Sequence, residues 1–337
     1  MTETRYRGRR ATSIENDLVR VTVLHEGGHI AEILDKQSGV NPLWSPPWES
    51  IEPSTYHPRK HPEYGADAES KLLSGIMGHN LCMDIFGGPS VEEAAAGLTV
   101  HGEASVAPYE VTVADGELTE WARLPQAQLR VARRIRLAGR IVEITEAVEN
   151  EASADRPIAW TEHVTLGPPF LEKGATEFRA PVTQSQVLEE GVGDLQVYTN
   201  RPVSGGFTTH LMDPARETAF FVAWSPRSQV AFGYVWRRAD FPWLGVWEEN
   251  YSRTGAPWNG RTLTRGMEFG ASPMPETRRQ MIERGSLFGA PAFRWIPARS
   301  QVEVRYCAAI QGRLGSCPAE LVFGTDGEVR FEYRGSV

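Results

Sequence analysis

The chain has 337 residues, 41% hydrophobic and 23% charged, with a net charge of -8. That length and apolar content suffice for one large core or two smaller ones. The acidic balance leaves no global basic field for a nucleic-acid backbone, so nucleic acid is not an expected partner, and no stretch reaches the ~18 apolar residues of a membrane span.

The start, Met1 to Arg10, is polar and holds Arg5, Arg7, Arg9 and Arg10. Without the apolar stretch of a secretory signal it reads as a flexible, solvated tail, residues 1–10, on a soluble, cytoplasmic protein. Next, Asn16-Asp17-Leu18-Val19-Arg20-Val21-Thr22-Val23-Leu24 alternates, turns at Gly27-Gly28 and returns through Ile30-Ala31-Glu32-Ile33 to Asp35-Lys36-Gln37-Ser38-Gly39-Val40-Asn41. Trp44 to Pro62 is punctuated by Pro46, Pro47, Pro53, Pro58 and Pro62, and predicts an ordered, irregular loop over one end of a cleft. Helical pattern is confined to two short candidates, Tyr64 to Leu73 and Val91 to Ala96.

Beyond these the period is two. Glu110 to Val113 and Leu118 to Trp121 flank Asp115-Gly116, and Leu321 to Phe323 and Val329 to Phe331 flank Asp326-Gly327. Both are hairpin signals, because glycine readily takes the positive φ of primed turns. Gln128 to Leu137 and Arg140 to Val148, joined at Ala138-Gly139, predict a hairpin with one buried and one charged face. With well over a dozen such strands and no repeat or linker, the expectation is one all-β domain, residues 1–337, built as a large antiparallel β-sandwich. Composition alone equally allows a jelly roll or two sandwiches in tandem. Cys82, Cys307 and Cys317 are an odd, sparse set, expected as reduced thiols.

Three short segments carry candidate chemistry: His101-Gly102-Glu103-Ala104, Thr161-Glu162-His163-Val164-Thr165-Leu166-Gly167 and Gly266-Met267-Glu268-Phe269-Gly270. Taken singly, His101 ends a strand, His163 is a hydrogen-bonded core residue and Glu268 sits on a solvated face. Their order, together with the opening hairpin and the strand Pro242-Trp243-Leu244-Gly245-Val246-Trp247, resembles the galactose mutarotase-like superfamily, which includes the aldose 1-epimerases. In that superfamily an Asn-led strand turns at Gly-Gly and runs into an Asp-x-x-Ser/Thr-Gly-x-Asn loop, and a later strand reads Pro-x-Leu-x-x-Trp.

The resemblance implies a β-supersandwich and an isomerase that interconverts sugar anomers. It assigns Glu268 as base, His163 as acid and His101 as the orienting histidine, with His163 and Glu268 at opposite edges of one pyranose. Such proton transfers need no metal or redox cofactor, and the expected partner is a small-molecule sugar. Sugars stack their C–H faces on aromatic rings and pair their hydroxyls. Trp247 is thus the expected platform, and His79, Asn80 and His210 the expected hydroxyl contacts.

The chain departs from the superfamily where Glu162 precedes His163, where Glu268 lies in Met-Glu-Phe-Gly rather than Leu-Glu-Pro-Gln, and where Thr209-His210 replaces an Asp-His pair. Two alternatives follow. One is a non-catalytic carbohydrate-binding or regulatory protein; the other is an epimerase for phosphorylated hexoses using Arg59, Arg261 and Arg265. Metal readings are weaker, since no second Cys or His pair follows His79 and Cys82 at a zinc-finger interval. Oligomeric state is not legible in the sequence.

Overall fold

The computed structural model describes residues 4–324 and 328–333. Two antiparallel sheets dominate. The larger has 11 strands among the described residues. It begins with Thr4–Tyr6, Arg9–Glu15, Val19–Leu24, Ile30–Asp35 and His79–Asp84, and continues through Arg156–Leu166, Leu263–Gly270, Trp243–Asn250, Ser204–Met212 and Val182–Glu189. The short strand Arg294–Ile296 pairs onto the start of Arg156–Leu166. The second sheet has eight strands, in the order Glu177–Arg179, Thr218–Ser225, Val230–Arg237, Gln301–Gln311, Ile141–Asn150, Leu129–Ala138, Glu117–Leu124 and Glu110–Ala114.

The expected hairpins form where their turn chemistry predicts. Asp115 and Gly116 both take positive φ, 51° and 76°, between strands Glu110–Ala114 and Glu117–Leu124. The strands flanking Asp326-Gly327 pair as predicted, while the turn itself lies outside the described residues. Period-two alternation sends one face of each strand into a shared inter-sheet core that includes Val131, Ile135, Ile144, Trp160, Phe269 and Tyr306. Within it Phe269 stacks on Trp236 with ring centroids 4.2 Å apart.

Two expectations need correction. Residues 4–10 are not a solvated tail. Thr4–Tyr6 pairs with Arg9–Glu15, and the Arg9 guanidinium is fully buried, donating to Glu52, to the Gly75 carbonyl and to the Glu26 carbonyl. A charged residue reads as solvated by composition, but enough acceptors make its burial tolerable. The hairpin Leu129–Ala138 and Ile141–Asn150 likewise turns charges inward, at Arg133 and Glu146.

Helix is scarce, as expected: Ser70–Leu73 and Val91–Ala95 fall in the two candidate segments. A third, Arg278–Arg284, carries a sequence signal that the alternation obscured. Its N-cap Thr277 and Gln280 close a capping box, the Thr-x-x-Gln spacing of a helix start. The three cysteines are free thiols. No helix among the described residues is long and apolar enough to cross a membrane.

Candidate active site

Strand register builds one polar row on the face of the large sheet that points away from the inter-sheet core. Asn80 lies opposite His163, His163 opposite Glu268, Glu268 opposite Gly245, and Gly245 opposite Thr209. Residues directly opposite on neighbouring strands share a face and have their Cβ atoms about 5 Å apart. Residues 163 and 268, distant in the chain, thereby become neighbours.

His163 Nε2 lies 3.0 Å from Glu268 Oε1, with the two side chains 6% and 2% exposed. They touch, rather than standing a ring's width apart as opposite edges of a pyranose would place them. The approach is close but poorly aligned, so Glu268 Oε1 is buried without a formed hydrogen bond. The other imidazole nitrogen, Nδ1, is 3.0 Å from Thr165 Oγ1.

His101 joins them from a separate loop. Its ring centroid is 5.0 Å from that of His163, and its φ is +68°, left-handed backbone that few residues other than glycine adopt. Gly102 follows because a Cβ there would lie 2.2 Å from the Met83 carbonyl oxygen, so only glycine lets this loop seat on the sheet. His101 Nδ1 donates to the Phe86 carbonyl at 2.7 Å. A carbonyl only accepts, so Nδ1 carries the proton and Nε2 is left as an acceptor. Burial, then the proximity of His163, pushes the His101 pKa down to about 3, keeping the ring neutral.

Glycines clear space around the carboxylate. A Cβ at Gly266 would fall 2.3 Å from Glu268 Oε1, one at Gly270 2.5 Å from Thr161 Oγ1, and one at Gly245 2.6 Å from the Phe207 ring. Beside the pair, Trp247 stands 6.0 Å from the His163 ring and belongs to an aromatic cluster with Trp44, Trp48 and Trp258. The cluster draws in the proline-rich segment expected to cover one end. Arg253 lies over both Trp247 and Trp258, tied to Glu69 at 2.9 Å.

The structure does not bring every expected residue to this face. His79 and His210 are each one residue out of phase, next to Asn80 and Thr209, and alternation turns both to the opposite side. His79 is fully buried between Tyr234 at 2.9 Å and Glu162 at 2.8 Å. His210 pairs with Ser185 Oγ at 2.7 Å, and burial lowers its pKa to about 4. Neither faces the row, so neither is retained as a hydroxyl contact. Arg265 is also out of phase with Glu268 and is buried against Glu248, while Arg59 and Arg261 are exposed.

Residues on the row to which the motifs assigned no role are Thr161, Thr165 and Thr209. The side-chain oxygens of Thr161 and Thr209 and both polar atoms of Asn80 are buried without a hydrogen-bond partner among the described residues. The usable signal was phase: each is an even number of residues from His163, or lies opposite the row through register.

Behind the row, facing the core, lies a charged cluster. Arg133 contacts Glu120 and Glu146 at 2.9 Å and Glu162 at 3.6 Å. Trp160 Nε1 donates to both Glu146, at 2.7 Å, and Glu162, at 3.1 Å. Burial, ahead of the effects of neighbouring charges, raises the Glu120 pKa to about 7 and that of Glu146 to about 8.

This is the galactose mutarotase-like fold, a two-sheet sandwich carrying a His, His, Glu cluster on the face of one sheet. Among solved structures, a candidate aldose 1-epimerase from Klebsiella pneumoniae superposes with a TM-score of 0.70 at 16% identity, covering 90% of this chain and 80% of that one. A galactose mutarotase-like protein from Clostridium acetobutylicum gives 0.60 at 10%, covering 93% and 98%. A galactose mutarotase related enzyme from Lactobacillus acidophilus gives 0.59 at 11%, covering 91% and 99%. At such identities the likeness establishes the architecture. No protein-family model matches the chain, and no curated protein matches it either.

Proposed function

We propose that the protein is an aldose 1-epimerase-like isomerase that interconverts sugar anomers. The observation carrying this reading is the 3.0 Å approach of His163 Nε2 to Glu268 Oε1, buried on one face beside a second, neutral imidazole, that of His101. Anomer exchange moves two protons at two oxygens bound to the same carbon. An acid and a base that touch at rest can therefore each reach one of them. Glu268 takes the proton of the anomeric hydroxyl while doubly protonated His163 gives its Nε2 proton to the ring oxygen. The bond from the anomeric carbon to the ring oxygen breaks as the carbonyl forms. Rotation of the aldehyde and the reverse transfers close the other anomer.

His101 Nε2, an acceptor, suits a sugar hydroxyl as donor, and Trp247 suits a C–H face. Buried polar atoms are ordinarily paired. The unpaired atoms of Asn80, Thr161, Thr209 and Glu268 support a hydroxyl-rich ligand on this face. These assignments call for no metal or redox group.

The test is anomer exchange of several fresh aldoses, followed by optical rotation or NMR exchange. Wild type should accelerate at least one of them and Glu268→Gln should not. Equal rates for both would remove the catalytic assignment. Tight sugar binding by calorimetry without exchange would instead support a binding protein.

A further inference from the structure

We propose that Thr165 is the positioning residue of the acid, accepting a hydrogen bond from His163 Nδ1–H so that the mobile proton is the one on Nε2. This rests on the epimerase reading for its purpose, though not for its geometry.

Thr165 lies two residues beyond His163 on the strand Arg156–Leu166, hence on the same face, and is 1% exposed. Both its backbone groups are already engaged, its N–H with the Gly78 carbonyl at 3.1 Å and its C=O with the Trp44 N–H at 2.8 Å. These bonds fix the backbone of the residue to two neighbouring segments. Its one hydrogen-bond partner among the described residues is His163 Nδ1, at 3.0 Å.

The chemistry decides which way that bond runs. Nε2 faces the Glu268 carboxylate and the reacting oxygens. When its proton is given away, the neutral ring must keep the other one on Nδ1, or it would be left as an anion. An acceptor at Nδ1 stabilises that tautomer and stops the ring from rotating Nε2 out of reach. Carboxylates often hold a histidine in this way, but here a neutral hydroxyl does so, adding no second negative charge beside Glu268.

The experiment pairs nitrogen-15 NMR of the His163 ring with kinetics of Thr165→Val and Thr165→Ser. In the wild type, Nδ1 should stay protonated through the titration of the ring, and a single neutral tautomer should be seen. Thr165→Val, similar in volume but without the hydroxyl, should populate both tautomers. It should also lower kcat roughly tenfold with little change in KM, and shift the pH profile. Thr165→Ser should restore tautomer and rate, separating this role from packing. If the valine variant shifts the tautomer in a protein inert towards every sugar, the positioning role stands and the epimerase reading fails. A wild-type neutral ring protonated on Nε2, or a valine variant with unchanged tautomer and rate, overturns the proposal.

Discussion

Glu268 folds back along its own strand over Gly266, so that its Oε1 lies 2.3 Å from where a Cβ at position 266 would be. The missing side chain at one position thus sets where the carboxylate two residues later can lie. Gly266→Ala should push the carboxylate away from His163. We expect anomer exchange to fall by more than about tenfold, as misplacement of a reacting group usually costs. The melting temperature should change little, and a variant with full activity would show that the carboxylate position is not critical.

Glu268→Gln keeps shape and removes the base. The expected loss is about 100 to 10,000-fold in kcat, the usual contribution of a single acid or base. Circular dichroism should be unchanged.

The cluster behind the site makes a pH prediction. Glu120 and Glu146 hold protons in the folded state up to about pH 7 and 8, whereas the unfolded chain releases them near 4.5. The folded state then binds more protons, so stability falls as pH rises through that window. His29 and His101, lowered to about 3, act oppositely but only below their unfolded value of 6.5. Between pH 6.5 and 8 the carboxylates alone remain of these four. Denaturant unfolding there should show stability declining by about 1 kcal/mol per pH unit, and Glu146→Gln should flatten the slope.

Arg133 is the cation of that cluster, 2% exposed and in contact with three glutamates. At pH 8, where the Glu120 and Glu146 carboxyls have begun to ionise, Arg133→Met leaves that charge uncompensated and should destabilise the protein by about 3–5 kcal/mol. The loss should be larger at pH 8 than at pH 6. A melt at pH 8 insensitive to this change would mean that no buried carboxylate charge depends on Arg133.

Much of the fold was legible because alternation and turn residues are local properties. Asp115-Gly116 specifies its hairpin through two positive-φ positions, and the runs around Ala138-Gly139 specify theirs through period two. What local pattern could not supply was phase and partnership. His79 and Asn80 are adjacent in sequence and were expected to act together, yet the strand sends one into the core and the other onto the polar row. Arg9 read as a solvated tail because its acceptors on Glu52, Gly75 and Glu26 come from later segments.

By itself the sequence determined an all-β antiparallel chain, because strand period and turn chemistry are written within a few residues, and its resemblance to the mutarotase-like superfamily pointed to the sandwich and to a histidine and a glutamate worth testing. Only the tertiary structure decided that those two side chains meet, that His101 and Thr165 join them and that His79 and His210 do not. Register between strands far apart in the chain is set by the packing of the whole inter-sheet core, and a shift of one residue would turn every side chain of the row to the other face.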